Sequence, residues 1–85
     1  LKEVDSEQSF AFWLNDAKKG EEAIYYNGLL MMDRERYFSN GGTFDKLPEK
    51  LKAANFAWQL YTNGMVNLVQ KKREQYTYDY IAIKR

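Results

Sequence analysis

The sequence predicts a compact α+β domain with three helices, one short strand between the first two, and a two-stranded hairpin at the C-terminal end. Three observations carry that reading. Apolar residues recur at helical spacing near the start of the chain and again from Leu47 to Tyr61. After Gly64 the pattern changes to two short β-prone runs. Finally, 85 residues allow one domain, 1–85, and an aromatic content of 16% lets so small a core form without disulfides.

The elements follow in order. Asp5 or Ser6 caps the first helix, with Asp5 and Gln8 spaced as a capping box. Phe10, Trp13, Leu14 and Ala17 form its apolar stripe. Lys18-Lys19-Gly20 ends it, since cations suit the last carbonyls and glycine tolerates a left-handed turn, giving a helix over about 6–18. Ala23-Ile24-Tyr25-Tyr26 is a brief strand stopped by Asn27-Gly28, and Leu29 to Phe38 is a second helix without a breaker. Residues 39–43 form a loop by composition. Asp45 caps the third helix and Pro48 sits in its first turn, where a missing N–H costs nothing. At 100° per residue, Leu47, Leu51, Ala54, Ala57, Trp58 and Tyr61 share its apolar face. Lys52, Asn55, Gln59, Thr62 and Asn63 line the opposite side.

The hairpin strands are Met65–Val69, extended through Lys71-Lys72-Arg73, and Tyr78–Ile83. A turn at Glu74-Gln75 sets Val66 opposite Ile83 and Leu68 opposite Ile81, all four facing the helices. Val69, Lys71 and Arg73 then share the outer face with Tyr76, Tyr78 and Tyr80. Helix, short strand, helix, helix, hairpin is the element order of a winged helix, in which the third helix reads a groove and the hairpin is the wing.

Composition excludes most chemistry. With no cysteine and no histidine, there is no thiol nucleophile, Ser-His-Asp triad or His/Cys metal site. Glu21 and Glu22 are adjacent, before a strand, so their side chains diverge. Asp33-Arg34-Glu35-Arg36 alternates sign on a helix and reads as surface ion pairing. Gly41-Gly42 lacks the lysine and hydroxyl of a phosphate loop. No run approaches the roughly 18 apolar residues of a membrane span, and nothing near Leu1 resembles a signal peptide, so a cytoplasmic setting is expected. No catalytic residue, cofactor, metal or small-molecule substrate is implied.

The net charge of +1 hides an asymmetry. Residues 1–45 hold five basic and nine acidic groups, and residues 46–85 eight basic and three acidic. Two constellations follow. Lys52, Asn55 and Gln59 give helix three side chains that can pair with base edges, although any amphipathic helix has a polar face. Lys71, Lys72 and Arg73 beside Tyr76, Tyr78 and Tyr80 combine phosphate-neutralising cations with rings that stack on bases. The same hairpin face suits a protein partner, because Tyr and Arg dominate interface hot spots. Phe12, Phe56 and Leu60 fall off the apolar stripes and offer a seam for a second copy or a partner, or simply wrap a small core.

Across most of the chain after residue 10, one resemblance emerges. It is carried by Gly20-Glu21, Ile24-Tyr25-Tyr26-Asn27-Gly28-Leu29-Leu30, Asp33-Arg34, then Ala54, Ala57, Trp58, Leu60 and Gly64. It ends in Val66-Asn67-Leu68-Val69-Gln70-Lys71-Lys72 and Tyr78-Asp79-Tyr80-Ile81-Ala82. In these residues the sequence resembles small phage- and prophage-encoded winged-helix-like proteins. The resemblance implies a phage setting and transfers no catalytic or ligand residue. The sequence thus leads to a non-enzymatic module that binds duplex DNA through Lys52, Asn55, Gln59, Lys71, Lys72, Arg73, Tyr76, Tyr78 and Tyr80. The alternative is an accessory or inhibitor protein that sets the same hairpin face on a host or phage protein.

Overall fold

The computed structural model describes residues 2–85. In order, these form β1 (Lys2–Glu3), α1 (Glu7–Asp16), β2 (Glu22–Gly28), α2 (Leu30–Ser39), a single 3-10 turn (Phe44–Lys46), α3 (Glu49–Thr62), β3 (Val66–Glu74) and β4 (Thr77–Lys84). The strands make one sheet in the order β1-β2-β4-β3. β1 runs parallel to β2, and the other pairs are antiparallel. The fold is α+β, with three helices and a four-stranded mixed sheet.

α1 starts one residue later than the Asp5/Gln8 spacing suggests. Ser6 is the cap: its Oγ accepts from the Ser9 N–H at 3.1 Å, and the Ser6 N–H donates back to Ser9 Oγ at 3.2 Å. The helix stops at Asp16, before the lysines. Ala17 is already extended, and the turn at Gly20 ties to the sheet through its N–H on the Lys84 carbonyl at 2.8 Å. Lys18 and Lys19 therefore lie beyond the helix rather than on its last carbonyls. Asp45 belongs to the 3-10 turn, and Pro48 itself takes the cap position of α3.

α3 lies across the sheet. Ala53 and Ala57 of the helix and Ala23 and Ala82 of the strands are all fully buried, and such small side chains let helix and strand backbones approach closely. Around this contact stand the large groups. Phe10 of α1 meets Phe56 edge to face at 5.4 Å and Trp13 at 5.8 Å, and stacks on Tyr25 at 5.8 Å. Leu51, Leu60, Val66 and Val4 complete the core. The apolar face of α3 is thus rotated from the expected one. Leu60 and Ala53 point inward and Phe56 packs on the core, whereas Trp58 is 59% exposed and Tyr61 is exposed. Leu60 is consequently unavailable as a seam, whereas Phe56 is half-buried and Phe12 remains on the surface.

The hairpin corrects the expected register. Its turn is Gln75-Tyr76, with a bulge between Lys72 and Glu74, so Val66 pairs with Lys84, Leu68 with Ala82 and Val69 with Ile81. This one-residue shift turns β4 over. Tyr80 and Ala82 face the helices with Val66 and Leu68, and Ile81 and Ile83 face the other way. Apolar alternation could not fix the register, because β4 is the central strand of its part of the sheet and is apolar on both sides along Tyr80-Ile81-Ala82-Ile83.

Candidate binding surface

The expected basic, tyrosine-bearing face of the hairpin does not assemble. Lys71 pairs with Asp79 on the face away from the helices, and Arg73 Nη1 reaches the Asp79 carboxylate at 3.5 Å. Asn27 Nδ2 also donates to that carboxylate, at 2.7 Å. Lys72 pairs with Tyr78 on the helix side. The cations are therefore divided between the two faces, and two of the three sit beside an acid.

The tyrosines have separate duties. Tyr80 is half-buried, edge-on to Tyr26 at 5.9 Å, and its hydroxyl accepts from the Leu30 N–H at 3.2 Å. That contact satisfies a free donor at the start of α2, whose own cap residue Leu29 supplies no side-chain bond. Tyr78 packs beside Tyr80 at 6.4 Å. Only Tyr76, in the turn, is broadly exposed, at 70%.

On α3 the expected polar residues do point outward, in a modified setting. Lys52 is half-buried and pairs with Glu49 at 3.5 Å, Asn55 is half-buried, and Gln59 and Thr62 are exposed. Trp58 joins them. Leu51 lines a cleft with Arg36 and Tyr37 of α2, while Phe56 meets α1, so the two helices flank α3 on opposite sides. Trp58 lies two turns beyond Leu51 and so falls on the α2 side, its ring 5.4 Å from that of Tyr61.

A second open cleft, of about 380 Å³, separates α2 from the hairpin and is lined by Leu30, Met31, Arg34, Gln70 and Tyr80. Met31 on its rim is 80% exposed, and Met32 is exposed beside it. Arg34 and Arg36 make no ion pair with Asp33 or Glu35; among the described residues the ion pairs are Lys52–Glu49 and Arg73–Asp79. Asp33 instead accepts from the Tyr26 hydroxyl at 2.5 Å. Burial, and then this bond to a carboxylate, push the Tyr26 phenol far above its usual pKa. Burial, with Tyr80 nearby, raises Tyr25 to about 12. Both phenols therefore stay neutral and structural near neutrality. No group of three or more acidic side chains suited to a metal occurs among the described residues.

Comparison with known proteins finds no matching family model, no similar curated protein and no similar solved structure. The surface must be read from its own chemistry.

The exposed groups that the sequence did not single out are Met31, Trp58 and Tyr61, the last two expected on the apolar face of α3. One signal was available: Leu29-Leu30-Met31-Met32 is four consecutive large apolar residues at the start of a helix, more than one buried stripe can absorb.

Proposed function

We propose that the chain is a non-enzymatic binding module of winged-helix layout that takes a protein partner on the outward side of α3 and the α2–hairpin cleft. The layout is supported by the wiring: helix, strand, helix, helix, hairpin, with the antiparallel strands in the order β2-β4-β3. One observation carries the choice of partner. The outward side of α3 presents the Trp58–Tyr61 ring pair, and α2 adds exposed Met31, with charges of both signs around them. Trp, Tyr, Met and Arg are the residues enriched where proteins bury surface against one another. A phosphate backbone instead calls for a continuous cationic stripe, and here Lys52 faces Glu49 while Arg73 faces Asp79.

Photo-crosslinking tests this. A crosslinking residue at position 58 or 31, in cells that natively carry the chain, captures a protein that the same residue at exposed Gln8 does not. Random duplexes and single strands at low salt bind the wild type no better than Lys71→Ala/Lys72→Ala. Tight DNA binding that falls steeply with salt and is lost in that double variant overturns the reading in favour of nucleic acid. Equal capture at positions 58, 31 and 8 also overturns it.

A further inference from the structure

The sheet has a second face, opposite the helices, and its pattern is specific. Central strand β4 sends Ile81 and Ile83 to that side, and the register sets Ile24 of β2 and Val69 of β3 on either side of Ile81. Ile81 is wholly buried, Ile24 and Ile83 are half-buried and Val69 is exposed. A sheet face meant only for water would carry polar groups at such positions.

Charge is laid out diagonally around this apolar centre. Glu22 lies one strand and one row to one side of Ile81, beside Ile83; Lys71 lies one strand and one row to the other side, beside Asp79. They occupy opposite corners, equally distant from Ile81, and neither holds an ion pair among the described residues. Glu3, next to Ile24, adds acid to the Glu22 side; at the Lys71 end Arg73 and Asp79 offset one another in an ion pair, which leaves Lys71 as the net cation.

We propose that this face is a homodimer interface, occupied by a second copy of the same chain. The observations fix its geometry. A twofold axis parallel to the sheet, passing over Ile81 and perpendicular to the Glu22–Lys71 diagonal, sets Glu22 of each copy over Lys71 of the other. The same operation lays Ile83 of one copy near Val69 of the other, on either side of the already buried Ile81. The strands of the two sheets then cross steeply, as in orthogonal sheet packing, with the faces about 10 Å apart. An isologous contact of this kind makes every pairing twice, so a face with acid at one corner and base at the opposite one complements itself. The proposal is independent of the partner surface on α3, which lies on the other side of the sheet.

Sedimentation equilibrium over a concentration series tests it, with circular dichroism to confirm that each variant is folded. The wild type shows a monomer–dimer equilibrium. Ile83→Lys abolishes the dimer over the same range. Glu22→Lys and Lys71→Glu each weaken it by about tenfold, and the double variant Glu22→Lys/Lys71→Glu returns to within about threefold of wild type because both pairs are re-formed with reversed sign. A wild type that stays monomeric at the highest concentration overturns the proposal. So does a double variant no tighter than the singles.

Discussion

Raising the pH weakens this fold through Tyr25 in a way that a single variant isolates. Tyr25 is 6% exposed and packs against Phe10 and Tyr80. Its phenol is raised from 10.0 to about 12, chiefly by burial and then by Tyr80. The folded state therefore holds the proton more tightly than the unfolded chain. The associated stability is fully present below pH 10 and is lost as the pH climbs from 10 through 12. Linkage gives the size: at pH 11 the unfolded chain is about tenfold more ionised, a loss of about 1.4 kcal/mol, rising to about 2.3 kcal/mol at pH 12. For a domain of this length, 1.4 kcal/mol is about 6–11 °C in Tm. The assay is the difference between wild type and Tyr25→Phe, whose phenyl ring keeps the packing and removes the titrating group. Thermal unfolding at pH 8 and pH 11 shows the variant losing less Tm than wild type by that margin. Equal losses in the two proteins refute the buried placement of Tyr25 and, with it, the seating of α1 on β2.

Two further outcomes follow from the packing. A methyl group at Gly42 overlaps the Tyr37 ring, whose hydroxyl donates to the Thr43 carbonyl at 2.8 Å and accepts from the Thr43 N–H at 3.2 Å. Gly42→Ala must lift the ring and lose both bonds, so urea unfolding shows a loss of about 1–3 kcal/mol. Leu60→Ala, at a site 5% exposed, costs about 2–5 kcal/mol in the same assay, whereas Lys52→Ala at the exposed Glu49 pair stays within about 1 kcal/mol. Comparable losses in Leu60→Ala and Lys52→Ala contradict the rotation of α3.

The helices and hairpin could be read from the sequence because their signals are local: Ser6 before an apolar stripe, Asn27-Gly28, Pro48, Asn63-Gly64. What local patterns could not settle were choices between two faces. α3 carries apolar residues around more than half its circumference, from Leu51 through Trp58, Ala54 and Tyr61 to Ala57, Ala53 and Leu60. The alanines face the sheet because a close helix–sheet approach favours small groups, which leaves the larger Trp58 outside. β4 posed the same problem with period two. β1 had no readable signal, since two residues, Lys2 and Glu3, make no pattern and pair only because β2 offers a free edge. The charge split between the halves of the chain was real as composition, but folding sets Asp79 among the hairpin cations.

One placement, the register of β4, shapes both surfaces. With Tyr80 turned towards the helices, its hydroxyl receives the first N–H of α2, and its ring lines the cleft beside Met31. Tyr26, directly opposite Tyr80, holds the same helix by its Asp33 carboxylate. α2 is thus tied at two points to the sheet, and the α2–hairpin cleft has a wall set by the sheet rather than by a helix–helix contact. The next residue, Ile81, necessarily points to the opposite face. There it centres the apolar row bounded by Glu22 and Lys71. A slip of one residue would lose both arrangements together. Val66 and Leu68 also need Ala82 and Tyr80 beside them on the helix side, so the core enforces the register that the two surfaces require.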